Sequence, residues 1–270
     1  MTINFVCVEG TDYGVTEFTK GSGGKFVSYE EMYQNTTMPM CWAGFFKPQW
    51  LEICKRYNLK FYNFDSGYFG NGKKKTIFRL SVNNFQNVNP IIERPQDRWV
   101  RLNLKTEHFI QGSAIVVVPP DRKIVNTLGL GSEDQWINET VLKIKNFTDR
   151  KIKIRRRPEP RADRLVSNTF KNFIKDDTYC VVGYSSNALV EAAMHDIPVV
   201  ALGHSATKSL YTYQLEDIEK IKPAYLSDKQ AWLNHLAYSQ FTREELLSGL
   251  AWELLTSESS SIRSGTQIAF

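Results

Sequence analysis

Cysteine is scarce and scattered: the 270 residues hold Cys7, Cys41, Cys54 and Cys180 and no Cys-x-x-Cys pair. That pattern excludes a disulfide-stapled fold and a zinc ribbon, and it fits buried thiols in a reducing compartment. Histidine is as rare. His108, His195, His204 and His235 are the only four, and they show no metal-ligand spacing. No apolar run approaches the roughly 18–20 residues of a membrane helix. The opening MTINFVCVEGTDYG lacks a basic segment ahead of an apolar one, so no secretory leader is expected. These absences predict a cytoplasmic protein with no membrane partner.

Familiar phosphate motifs are missing too. In Lys20–Lys25 (KGSGGK), Thr19 stands where a Walker loop needs its first glycine. Phe26 replaces the Ser or Thr that would hold magnesium. Gly129-x-Gly131 runs on to Asp134 and is not a GxGxxG fingerprint. Basic charge is only slightly in excess, 34 Lys and Arg against 29 Asp and Glu, for a net +5. This excess does not by itself require nucleic acid. Its distribution says more: Lys73-Lys74-Lys75 and Arg155-Arg156-Arg157 are runs, with Arg161 and Arg164 after the second. An anionic partner is the expectation.

With 42% hydrophobic and 23% charged residues, the chain can bury a sizeable core. Strand and helix signals alternate along it. Ile3–Val8 reads as a strand ending at Glu9-Gly10, Tyr29–Tyr33 as a short helix, and Met40–Phe46 as apolar again. Pro48 opens a helix through Asn58, since proline suits the first turn. Lys60–Phe64 alternates like a strand into Asp65-Ser66-Gly67, and Thr76–Val82 follows as another. Asn83–Asp97, rich in Asn and Pro, looks irregular.

A second rhythm starts at Ser113. Ile115–Val118 is four β-branched residues before Pro119-Pro120, the profile of a strand buried on both faces. Ser132 caps a helix through Phe147. Lys151–Ile154 is a strand, Arg164–Lys175 a helix, Thr178–Val182 a strand, Asn187–His195 a helix and Pro198–Leu202 a strand. Two capping boxes, Ser227-x-x-Gln230 and Thr242-x-x-Glu245, precede the last helices. The reading is an α/β protein of two halves, 1–112 and 113–255, with a polar Ser-rich tail over 256–270.

In such folds ligands bind at the carboxyl ends of parallel strands. The strongest constellation there is Tyr179–Gly203, YCVVGYSSNALVEAAMHDIPVVALG. Gly183 permits a tight turn. Ser185, Ser186 and Asn187 open a helix, where unpaired N–H groups and the helix dipole favour an anion. Glu191, one turn along, suits vicinal ribose hydroxyls. Arg155 and Arg157, with Lys153, alternate onto one side of their strand. A guanidinium there pairs bidentately with phosphate. Pro119 ends the first strand beside the expected diphosphate, and His204 follows the last strand. In the first half Asp65 ends a strand before a glycine turn. It is the candidate base for deprotonating an acceptor hydroxyl, and Glu9 is its rival. Trp42, Phe45, Phe46, Tyr68, Phe69 and Phe78, interleaved with Lys47 and Lys73–Lys75, could line a DNA-facing surface, but most of them are expected in the core.

The Tyr179–Gly203 segment resembles the nucleotide-sugar half of two-domain (GT-B) glycosyltransferases. Asp196-Ile197-Pro198 stands where Gly-x-Pro is usual there. Asp65–Phe69 is similar to an acidic-x-Gly-aromatic element of capsule-type Kdo transferases. The stretch from Ile115 through Pro160, with its PP strand end, Trp136 helix, Thr148-Asp149-Arg150 and arginine strand end, resembles glycosyltransferase-like proteins of bacteriophages. Together these cover about a third of the chain. The resemblance implies two Rossmann-like domains facing each other across a cleft, an acceptor domain before a donor domain. It implies transfer of a sugar from a nucleotide sugar, with UDP as the expected nucleotide, and needs no metal or other cofactor. By analogy with phage relatives the acceptor would be a modified base in phage DNA, in host cytoplasm. A glycan or small-nucleotide acceptor, and a silent nucleotide- or DNA-binding protein on the same scaffold, are the alternatives.

Overall fold

The computed structural model describes residues 3–8, 14–44, 47–70, 76–157 and 169–261. The chain divides into two compact units, Met1–Asn87 with Leu236–Phe270, and Val88–His235. The boundary therefore lies at 87/88, not at Gly112, and the C-terminal segment rejoins the first unit instead of completing the second.

The first unit opens with β1 (Val6–Val8), α1 (Val15–Gly21), β2 (Lys25–Val27), α2 (Tyr29–Gln34), β3 (Met40–Ala43), α3 (Pro48–Tyr57), β4 (Phe61–Ser66) and β5 (Ile77–Val82). Strands lie in the order β2-β1-β3-β4-β5. The first four are parallel, and β5 runs antiparallel to β4. Alternation sorts the side chains. Val6, Val8, Met40, Trp42 and Phe61 pack with Met32 of α2 and Trp50, Leu51 and Cys54 of α3. Phe5, Cys7, Cys41, Tyr62 and Phe64 pack with Val15 and Phe18 of α1 on the other face. Pro48 occupies the first turn of α3, and Asn58 ends it in the left-handed region. Ser28 and Glu31 form a reciprocal capping box on α2.

The second unit carries α4 (Asp97–Arg101), β6 (Ala114–Val118), α5 (Arg122–Thr127), α6 (Glu133–Lys145), β7 (Ile152–Ile154), α7 (Phe170–Lys175), β8 (Thr178–Gly183), α8 (Asn187–Met194), β9 (Val199–Ala201) and α9 (Leu226–Ala237). Its sheet, β7-β6-β8-β9, is wholly parallel. As the β-branched run predicts, every residue of β6 is buried. Ile115, Val117, Cys180, Val182 and Val200 meet Trp136, Ile137 and Ile144 of α6. Their alternates Val116, Val181 and Val199 are equally inaccessible. Ser132 caps α6, as its sequence suggests. Ser227 caps nothing. It lies inside α9, which begins one residue earlier, and its hydroxyl turns to Asp228. The Arg164–Lys175 helix is observed over Phe170–Lys175, with Arg161 and Arg164 outside the described residues.

The chain then adds β10 (Gln240–Thr242), antiparallel to β5, as the sixth strand of the first sheet. Thr242 and Glu245 form the expected capping box on α10 (Arg243–Leu247). Gly249, at φ 86°, breaks the LLSGLAWELL run before α11 (Leu250–Ser261). Leu246 and Ala251 complete the α1 face of the core. The expected polar tail from residue 256 thus continues a helix as far as Ser261.

Candidate functional site

In each sheet the chain adds one strand to one side and the next to the opposite side. This creates a switch point at the strand carboxyl ends. In the second unit it lies between β6 and β8, where Val118 pairs with Gly183. A Cβ at Gly183 would come within 2.9 Å of Leu189 and 3.0 Å of the Val118 carbonyl oxygen, so glycine is needed for strand and helix to approach this closely. The ladder continues past β9, through Leu202 N–H to the Gly183 carbonyl (2.8 Å) and Gly203 N–H to the Tyr184 carbonyl (3.1 Å). The start of the loop after β8 is thereby tied to the chain that follows β9.

Ser186 is the N-cap of α8, its hydroxyl oxygen accepting from Ala188 N–H at 3.2 Å. That hydroxyl can still donate its own proton. Asn187 is the first helical residue. Ser185 is buried, 5% exposed, so the loop presents chiefly its backbone at this edge. Pro119 and Pro120 are buried and lead to Asp121, which caps α5 by accepting from Lys123 N–H at 2.9 Å. His204, just past the last strand, is half-buried. Burial, with Lys208 nearby, pushes its proton affinity down.

The basic run divides three ways. Arg155 donates its backbone N–H to the Val117 carbonyl (2.9 Å) and sets its guanidinium 5.2 Å from the Phe173 ring centroid. Arg157 pairs with Asp121 at the same edge. Arg156 turns away to Glu133 and Asp134 at the start of α6. Lys153 does not share the edge: it pairs with Asp177 at 3.6 Å, and Asp177 precedes the amino end of β8. A long flexible stem reaches the nearest carboxylate, whatever side strand alternation assigns it. Arg155 and Arg157 follow the carboxyl end of β7, which β6 separates from β8 and its Gly183–Asn187 loop, whereas Lys153 turns toward the amino end of β8.

Glu191 is neither solvent-facing nor free. Its carboxylate accepts from the Lys171 backbone N–H in the first turn of α7, while burial pushes its carboxyl up. It supplements Thr169, whose side chain accepts from Asn172 N–H at 3.2 Å. Sequence spacing gave no sign of this partner, because α7 and α8 meet only through the packed fold.

In the first unit Asp65 lies near the carboxyl end of β4, opposite Arg79 of β5. Arg79 Nη2 donates to one Asp65 oxygen at 2.9 Å, and Ser66 N–H to the other at 2.7 Å. The arginine side chain is 5% exposed and the aspartate 28%. Arg79 also donates to the Ser66 carbonyl (3.3 Å) and stacks over Tyr68 at 5.2 Å. Burial is the main reason the Tyr68 phenol is raised, with Arg79 opposing it, and its oxygen accepts from Asn87 N–H at 2.9 Å. Gln240, from β10, accepts from Phe69 N–H at 3.1 Å. The Asp-Ser-Gly-Tyr turn is thus held by residues far along the chain that the sequence did not single out. Glu9, Lys73, Lys74, Lys75, Phe45 and Phe46 lie outside the described residues.

Three of the aromatic residues weighed for a DNA-facing surface are core, the placement expected for most of them. Trp42 is 0% exposed, Phe78 2% and Phe69 5%. On a short strand between helix layers, a large ring gains more from burial than from display. Among the described residues, no three His, Cys, Asp or Glu side chains are grouped to hold a metal ion, and no helix is long and apolar enough to cross a membrane.

The fold defines an α/β protein with two open sheets, one wholly parallel and one mostly so, and its candidate ligand groups at strand carboxyl ends. No protein-family model matches the chain, and no curated protein matches it in sequence. By structure it is similar to two solved chains of Thermosulfurimonas dismutans KpsC. One is the beta Kdo 2,7 transferase, at 14% identity and TM-score 0.47, covering 93% of this chain and 99% of that one. The other is the beta Kdo 2,4 transferase, at 11% identity and TM-score 0.48, covering 87% and 91%.

Proposed function

We propose that this chain is a glycosyltransferase whose second unit binds the nucleotide of a sugar donor. One observation carries the reading. At the β6/β8 switch point, Val118 pairs with Gly183 ahead of the loop that starts α8, and Arg155 and Arg157 follow the carboxyl end of β7 on the other side of β6. Backbone N–H groups at a helix start and paired guanidinium groups are what a diphosphate needs. The same groups would stabilise charge on the departing nucleoside diphosphate without a cation. Glu191 keeps acceptor capacity beyond its bond to Lys171, enough to receive ribose hydroxyls. Asp65 would take the proton from the attacking acceptor hydroxyl, with Glu9 as the competing base.

One observation favours a second reading, a nucleotide-binding protein that performs no transfer: both Asp65 oxygens already have donors within the protein. Calorimetry with UDP and other nucleoside mono- and diphosphates, with and without EDTA, tests the donor site. The reading expects micromolar binding of a diphosphate in EDTA, weakened by Arg155→Ala. Failure of every nucleotide to bind, or strict dependence on magnesium, overturns it. Turnover of a nucleotide sugar then separates enzyme from binder.

A further inference from the structure

The helices α2 and α3 both start at the carboxyl ends of parallel strands, β2 and β3, so their first turns lie at one edge of the first unit's sheet. Tyr29 opens α2, and Tyr33 follows one turn later on the same face. They are 55% and 50% exposed. Both rings lean on Trp50 in the first turn of α3, with centroids 5.9 and 6.5 Å away and planes tilted by 33° and 56°. Lys47 places its ammonium 5.2 Å from the Trp50 ring centroid. Trp50 itself is buried, and its indole N–H has no hydrogen-bond partner among the described residues.

The charge around these rings limits what they can bind. Glu30 and Glu31 are exposed on α2, and Glu52 is exposed on α3. The Ser28 backbone N–H holds the Glu31 carboxyl below its usual range. With Lys25 beside Glu31, Arg56 paired to Glu52 and Lys47 over Trp50, the charges are of both signs and give a polyanion no concentrated positive field. The carboxylates supply acceptors for hydroxyl groups, as the phenols supply donors and acceptors.

We propose that Tyr29, Tyr33 and Lys47 form a saccharide-binding subsite, the C–H face of a sugar ring lying on the phenol rings and its hydroxyls bonding to the phenols and Glu30. Calling the bound sugar the acceptor rests on the glycosyltransferase reading; the binding itself stands on the first unit alone. The DNA expectation for this half gives way to a hydroxyl-rich carbohydrate chain.

Saturation-transfer NMR of the intact chain with the neutral pentasaccharides cellopentaose and chitopentaose tests this. Binding is expected, and the Tyr29→Ala/Tyr33→Ala double variant should weaken it by about tenfold to a hundredfold, from two lost ring contacts. The Tyr29→Phe/Tyr33→Phe variant keeps the ring contacts and loses only the phenol hydrogen bonds, so it should bind more tightly than the alanine variant. Both variants should keep the parent's thermal midpoint and UDP affinity. If UDP binds and no pentasaccharide does, the subsite is refuted and the donor reading survives. Saccharide binding without UDP binding leaves the subsite and removes the transferase. Undiminished saccharide binding by the alanine variant overturns the proposal, as does oligothymidylate binding that requires both tyrosines.

Discussion

Asp65→Asn is the most informative substitution, because the residue proposed as the base also pairs with a buried arginine. Its carboxylate faces Arg79 at 2.9 Å, and the arginine is 5% exposed. Removing one member of a fully buried pair typically costs about 3–5 kcal/mol, whereas exposed pairs are worth about 0–1. With Asp65 at 28% exposure, the loss should fall between these limits, at about 2 kcal/mol. The asparagine carbonyl can still accept from Ser66 N–H, so most of the loss belongs to the uncompensated guanidinium. Urea unfolding of Asp65→Asn, Arg79→Met and the double variant gives the coupling between the two sites. A coupling of about 1–2 kcal/mol is expected. Catalysis is read separately, at a urea-free temperature where every variant is folded. A general base contributes about 10²–10⁴-fold to turnover and nothing to donor affinity. Asp65→Asn should therefore lower turnover within that range while Glu9→Gln does not. An additive cycle with no loss of stability would refute the ion-pair account. Full activity in Asp65→Asn with loss in Glu9→Gln would reverse the base assignment, and activity in both would leave neither as base.

Glu191→Ala should weaken UDP binding by about 1–3 kcal/mol through the lost charged acceptor; unchanged affinity in calorimetry would leave the residue only its bond to Lys171. His235 is buried, its Nδ1 accepting from Ile92 N–H at 3.3 Å, and burial pushes its pKa down to about 4. As pH falls from about 6.5 to about 4, the unfolded chain takes up a proton that the native one does not, and stability drops by up to about 3 kcal/mol. Urea titrations at pH 7 and pH 4.5 should show a smaller drop in His235→Gln than in the parent, and an identical drop would contradict this. Duplex DNA should show no salt-steep binding; a log–log slope that flattens by about 2.7 in the Lys73–Lys75 triple alanine variant, about 0.9 per contact, would restore DNA as partner.

The sequence alone determined the elements whose causes are local. Four β-branched residues before two prolines can only be a buried strand end, and β6 is one. Pro48, Ser132, Ser186 and the Thr242–Glu245 box mark helix starts because they satisfy backbone donors within four residues, or need none. The Gly183–Asn187 loop was legible for the same reason: strand, glycine and capping serine are contiguous. Where local signals conflict they misled, as at Ser227, whose capping pattern lies inside a helix that starts at Leu226. Tertiary structure decided whatever depends on a distant partner. Gln240–Thr242 became a strand because β5 offered an unpaired edge some 160 residues back, and that pairing carried the C-terminal segment into the first unit. Asp65 acquired Arg79 across an antiparallel register, Glu191 acquired a backbone donor on α7, and Tyr29 and Tyr33 found the same tryptophan on another helix. Burial and loop closure select such partners only after the strands have paired, and they leave no periodicity in the chain to announce them.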